Sequence, residues 1–162
     1  MTVTTHLGVR RAAPRSRSGR QCSGAAFVIV RSSNSEGCSA QDAQLADGRS
    51  VADALADEIT AFNTALGDGI GPVGAVLGAS VDAIAANVLA RLSRSLMLAP
   101  GVGAQGASLD DVRNNFGPAT ARTLPSVSGS ILRQDPSPAA RREPIDRYRV
   151  QACRAADSQQ PR

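Results

Sequence analysis

Apolar positions recur most regularly between residues 50 and 98. Val51, Leu55, Ile59, Phe62 and Leu66 are spaced by 4, 4, 3 and 4 residues, which places them on one helical face. Ser50 and Asp53 stand before this stripe in the S-x-x-D form of a capping box. Asp53, Asp57 and Glu58 lie off the apolar face, towards the positive end of the helix dipole. Gly67-Asp68-Gly69 ends the segment. A weaker segment precedes it, from Ser39 to Asp47.

A second stripe is longer. Val73, Leu77, Val81, Ile84, Val88, Leu92 and Leu96 recur at spacings of 4, 4, 3, 4, 4 and 4. Pro72 suits the first turn of such a helix, and Pro100-Gly101 ends it. The two stripes predict an antiparallel helical hairpin over 50–98. A third short helix is predicted from Ser108 to Phe116, again with an S-x-x-D start, and Gly117-Pro118 closes it. Elsewhere the pattern gives one short strand at 26–31 and a short basic helix within 145–156. The fold class expected from this pattern is mainly α: a helical hairpin with a third short helix, flanked by disordered basic termini. The corresponding domains are a basic arm at 1–40, a small helical domain at 41–120 and a Pro/Arg-rich tail at 121–162.

Charge sharpens this division. All 18 basic residues among the 162 are Arg, against 14 acids, for a net charge of +4. Residues 1–40 carry +5, residues 41–98 carry −4 and residues 99–162 carry +3. Residues 1–36 are Arg- and Ser-rich with no acid before Glu36, the composition of an organelle transit peptide. The chain is expected to be cytoplasmic, or organelle-targeted if that segment acts as a leader. The uniform use of Arg also matches coding bias in a GC-rich genome.

Composition removes several chemistries. His6 is the only His, so a His triad or multi-His metal site cannot be assembled. Phe27, Phe62, Phe116 and Tyr148 are the only aromatics, too few for a base-stacking platform. Cys22, Cys38 and Cys153 have no metal-ligand spacing. The adjacent pairs Asp57-Glu58 and Asp110-Asp111 diverge on a helix. No catalytic residue, cofactor or metal site emerges, and a non-enzymatic protein is expected.

The most unusual feature is a glycine row. Gly67, Gly71, Gly74 and Gly78 are spaced 4, 3 and 4, and on a helix they would let another backbone approach closely. This predicts helix-mediated self-association, or binding of another helical protein, through residues 67–96. The contact residues would be Gly71, Gly74, Gly78, Val73, Leu77, Val81, Ile84 and Val88. The apolar run at 70–92 gives an alternative, association with a membrane. Residues 67–85 also resemble the first helix of the rotor-ring proteolipids of ATP synthases, without that family's polar loop and second helix, and no function follows.

A further alternative is nucleic-acid binding. Residues 88–133 are similar in outline to a winged helix-turn-helix, with Gly117 as the turn glycine. That resemblance implies Thr120 and Arg122 facing DNA and Arg133 on the wing, with Arg113, Arg122 and Arg133 as the candidate contacts. Pro125 would interrupt the recognition helix. Gly101-Val102-Gly103-Ala104-Gln105-Gly106 is a literal G-x-G-x-x-G. Because a helical pattern precedes it, it is expected to be a plain loop and not a dinucleotide site. A translated frame with no evolved function is a last alternative.

Overall fold

The computed structural model describes residues 2–4, 8–9, 24–80, 86–133 and 135–157. Its centre is a five-stranded sheet, not a helical hairpin. The strands are β1 (Thr2–Val3), β2 (Ala26–Arg31), β3 (Val73–Leu77), β4 (Met97–Pro100) and β5 (Thr123–Ser126). They pair in chain order, and every pair is parallel. Helices fill the crossovers: α1 (Ser35–Gln41) and α2 (Val51–Thr64) between β2 and β3, α3 (Ala86–Arg91) between β3 and β4. Next come α4 (Leu109–Phe116) and a 3-10 turn (Gly117–Arg122) before β5, then α5 (Gly129–Leu132) and α6 (Pro138–Asp157).

The register fixes the two faces of the sheet. Val28, Ala75, Met97 and Thr123 are matched across β2 to β5 and point one way. With Val30, Val73, Leu77 and Ala99 they are buried, and the apolar members form one cluster with helix residues Ala52, Ala56, Ile59, Val88, Val112 and Phe116 and with Leu92. Ile29, Val76, Leu98 and Leu124 are likewise matched and point the other way. They form a row on the face that the helices do not cover. A parallel sheet in chain order with its helices on one side is the architecture of part of a β/α barrel.

The mainly-α expectation fails at residues 72–98. A spacing of four serves a helical stripe, but it also keeps residues on one face of a strand. Val73 and Leu77 therefore fit both. All five β3 residues are buried, as befits the middle strand of the sheet, and an apolar run of this kind carries no alternation. Leu92 lies in a turn after α3, and Leu96 just precedes β4. Val81 and Ile84 lie outside the described residues.

Where local chemistry was decisive, the helices form as the sequence predicts. Ser50 and Asp53 make both bonds of a capping box on α2, and Ser108 and Asp111 do the same on α4. The buried face of α2 is displaced by one residue from the expected stripe: it is Ala52, Ala56, Ile59 and Asn63. Small Ala side chains let α2 lie close on the sheet, while Leu66 is exposed. Asn63 is buried yet fully engaged. Its Nδ2 donates to Val73 O at 2.8 Å and Arg94 O at 3.0 Å, and its Oδ1 accepts from Val73 N–H at 3.1 Å.

The expected disordered basic termini are also corrected. β1 and β2 join the sheet, with Val28 and Val30 wholly buried. α6 runs for 20 residues through Pro144, and Tyr148 and Ala152 pack on the core cluster. Burial of one side compensates for a weakly amphipathic, Pro-containing sequence. The Arg residues at 10–20 lie outside the described residues.

Candidate functional site at the strand ends

Parallel strands end at one rim, so the loops after Arg31, Leu77, Pro100 and Ser126 are brought together. Ligands in such sheets bind outside the carboxyl ends of the strands. The loop after β2 is anchored from α1. Asn34 Oδ1 accepts from the N–H of Glu36 at 2.8 Å and of Gly37 at 3.2 Å, which starts the helix. Gln41 then reaches back. Its Oε1 accepts from Ser32 N–H at 3.2 Å and its Nε2 donates to Ser32 Oγ at 3.0 Å. Arg31 donates to both carboxylate oxygens of Asp42, at 2.6 and 3.1 Å. Ser33 is left exposed at the mouth.

The loop after β3 runs beside it. Gly78 N–H donates to Arg31 O at 3.0 Å, and Ala79 N–H donates to Pro100 O at 2.8 Å. A Cβ on Gly78 would come within 2.7 Å of Ser33 N, so only Gly allows the two loops this close. Asn115 of α4 donates to Ala79 O at 3.2 Å and holds the loop from behind.

The loop after β4 is the most constrained. Gly101, Gly103 and Gly106 have φ of 106°, 81° and 93°, a region that L side chains rarely occupy. Gly103 N–H donates to Ala107 O at 2.7 Å, and Gly106 N–H donates to Gly103 O at 3.0 Å. These bonds close the turn and present Gln105 towards β2. Ser33 Oγ donates to Gln105 Oε1 at 3.1 Å. On the far side, a Cβ on Gly103 would collide with Ser130 Oγ of α5 and approach Tyr148 OH of α6 to 2.7 Å. The rim thus gathers hydroxyls, one carboxamide and glycine main chain around one mouth. Among the described residues the cation placed at this rim is Arg31, which is paired with Asp42. Among the described residues no group of His, Cys, Asp and Glu could hold a metal ion.

The residues singled out from the sequence fall elsewhere. Gly71, Val73, Gly74, Leu77 and Gly78 lie on or beside β3, and Val88 is buried on α3. The glycine row does permit close approach, but within the domain: to the neighbouring strand, to α2 and to the loop after β2. A Cβ on Gly74 would lie 2.6 Å from the Phe27 ring, and one on Gly71 would overlap Asn63. Among the described residues the stripe is divided between β3 and α3, and no described helix is long and apolar enough to cross a membrane. Arg113 is exposed beside Asp110 at 3.9 Å. Arg122 turns inward and donates to Leu92 O at 2.6 Å and Ser95 O at 2.9 Å; burial lowers its pKa. Arg133 follows α5. The three do not converge, and the would-be recognition helix is a 3-10 turn and a strand. The rim residues Ser33, Gln105 and Ser130 carry no mark in the sequence that singles them out. The available signal was the G-x-G-x-x-G run, which does follow a strand.

No family model matches the chain. It is similar to the orotidine 5'-phosphate decarboxylase of Myxococcus xanthus, at 41% identity over 148 residues, covering 91% of this chain and 51% of that protein. The decarboxylase of Salinispora arenicola is 39% identical over 156 residues, covering 96% and 55%. A crystal structure from Streptomyces avermitilis, assigned as the same enzyme, superposes with a TM-score of 0.80 at 32% identity, covering 96% of this chain and 54% of the other. The chain spans about half the length of the curated relatives it matches. These similarities overturn the expectation of a non-enzymatic helical interaction protein, together with its nucleic-acid and membrane alternatives: the relatives are enzymes, and the shared fold is α/β and barrel-like.

Proposed function

We propose that this chain works in the decarboxylation of orotidine 5'-phosphate, and that its part is to hold the phosphate end of the nucleotide. The observation that carries this is the glycine turn at 101–106, set at the end of a parallel strand and cross-linked to the neighbouring loop through Gln105 and Ser33. Glycines at positive φ remove side chains that would keep an anion from the main chain, and the amide and hydroxyl groups around them suit phosphate oxygens. In β/α barrels a phosphate is frequently held by loops after the last two strands with a short extra helix. β4 and β5 end here on that glycine turn and on the four-residue α5.

The bond-breaking step places different demands on a site. Loss of CO2 from a pyrimidine carboxylate leaves negative charge on the ring carbon, and a proton must replace the lost group. A cation placed at that carbon would lower the barrier. The chain has no Lys, and Arg31 at this rim is committed to Asp42. Its own residues therefore support binding and orientation of the nucleotide, which by itself lowers the entropic part of a barrier.

The test is calorimetric titration of the chain with uridine 5'-monophosphate, the decarboxylated nucleotide, against uridine. Binding of the monophosphate at least tenfold tighter than uridine, with competition by inorganic phosphate, is expected. Equal affinity for both, or no binding of either, would overturn the proposal.

A further inference from the structure

The glycine turn at 101–106 is backed by two helices. Gly103 is its pivot: the N–H donates to Ala107 O at 2.7 Å and the C=O accepts from Gly106 N–H at 3.0 Å. A glycine at a φ of 81° has no side chain to hold it there, so its neighbours must. Two of them come from α5. A Cβ on Gly129 would lie 2.6 Å from Ala104 Cβ, and Ser130 Oγ takes up the space of a Gly103 side chain. The third is Tyr148 of α6, the single Tyr of the chain. Its hydroxyl oxygen lies 2.7 Å from where a Gly103 Cβ would stand. The ring is itself held. It packs on the core cluster, as does Ala152 one turn on, and the Arg147 guanidinium stands 5.9 Å from its centroid. α6 as a whole rests on α4, α5 and the 3-10 turn.

We infer that Tyr148 is a positioning residue for this turn: its hydroxyl backs Gly103 and sets the main-chain amides of 101–106 for an anionic oxygen. The inference deepens the phosphate-holding reading of the turn and rests on it. Among the described residues the cation at the rim, Arg31, is paired with Asp42, so the turn has to hold a phosphate with neutral donors. Neutral donors serve an anion only when several point at it together. Aiming them beforehand removes an ordering cost that binding would otherwise meet. At the front, the turn is tied by the 3.1 Å bond from Ser33 Oγ to Gln105 Oε1. At the back, Ser130 and Tyr148 close on Gly103. Because both main-chain groups of Gly103 are bonded within the turn, a shift of this residue carries through Gly106 and Ala107 to the rest of it. Tyr148 thus acts through Gly103 and not as a ligand.

The experiment uses Tyr148→Phe, which keeps the ring and its packing and removes only the oxygen. In the nucleotide-free chain, amide hydrogen exchange followed by NMR should become about tenfold faster at Gly103 and Gly106. It should stay unchanged at Val73, whose N–H bonds to Asn63. In calorimetric titration, uridine 5'-monophosphate should bind about tenfold more weakly and uridine as before. A role confined to packing of the ring would move neither readout. Ile145→Ser, at a site on the same helix that is 46% exposed, should also move neither. Tyr148→Phe that matches the parent chain in either readout overturns the inference, and so does an equal loss in Ile145→Ser. The parent chain keeps the two readings apart. If it does not prefer the monophosphate to uridine, the phosphate-holding reading fails and takes this one with it. If it does, and Tyr148→Phe keeps that preference, this one fails alone.

Discussion

Ser33 and Gln105, 72 residues apart, meet through a 3.1 Å hydrogen bond that joins the loops after β2 and β4. The bond holds the carboxamide beside Gly101, where an added Cβ would lie 2.9 Å from Gln105 Oε1. Gln105→Ala is expected to weaken binding of uridine 5'-monophosphate about tenfold, or about 1.4 kcal/mol. Because the pair is exposed, stability should change by less than about 0.5 kcal/mol. Titration calorimetry and urea unfolding on the same variant separate the two effects. An unchanged affinity would remove Gln105 from the site.

Gly103 and Gly106 share a positive φ but differ in surroundings. An added methyl at Gly106 meets open space, whereas one at Gly103 collides with Ser130. Gly106→Ala should therefore cost about 1–2 kcal/mol, from backbone strain alone. Gly103→Ala adds overpacking and should cost about 2–4 kcal/mol. Urea midpoints for the two variants give the comparison, and equal losses would argue against close packing of α5 on the turn.

Asn63 ties α2 to the start of β3 by bonding both the N–H and the C=O of Val73. Asn63→Ala leaves these main-chain groups buried without partners. The expected loss is about 2–4 kcal/mol in denaturant unfolding. A loss below about 1 kcal/mol would mean that water replaces the side chain.

A charge network on the outer surface of α2 and α3 should set the acid limit of stability. Burial pushes the Asp57 carboxyl up, but the guanidinium groups of Arg91 and Arg49, at 2.6 and 2.7 Å, outweigh it and hold the pKa below its usual value. Arg49 also holds Asp47 low. A depressed folded-state pKa means that the unfolded chain binds more protons as pH falls. The stabilisation is thus present above the ordinary carboxylate pKa of 3.8 and is lost as pH drops through the lower folded value. Asp57→Asn should lower stability at pH 7 and flatten its fall below about pH 4. Thermal unfolding across pH 2–7 checks this, and parallel curves for the two proteins would contradict it.

How much of this was legible beforehand differs from element to element. The α2 and α4 starts were readable because a capping box is a contact between residues three apart. β3 was not, because V-G-A-V-L is apolar or Gly at every position and carries no alternation. The glycine run at 101–106 is visible in the sequence, but the strand before it is not, because the apolar spacing through Leu96 also suits a helix. Ser33 is indistinguishable in sequence from its neighbours. Only its place beside Gln105 marks it.

The sequence by itself determined the helix caps, the glycine turn, the absence of a His-based site and the excess of Arg, all of which depend on composition or on residues a few positions apart. Tertiary structure alone decided that the apolar run at 73–77 is a strand, that the glycine row serves sheet packing, and that four distant loops share one rim. Those outcomes depend on pairing between segments tens of residues apart, where strand pairing and burial of β3 in the middle of the sheet outweigh local helical preference.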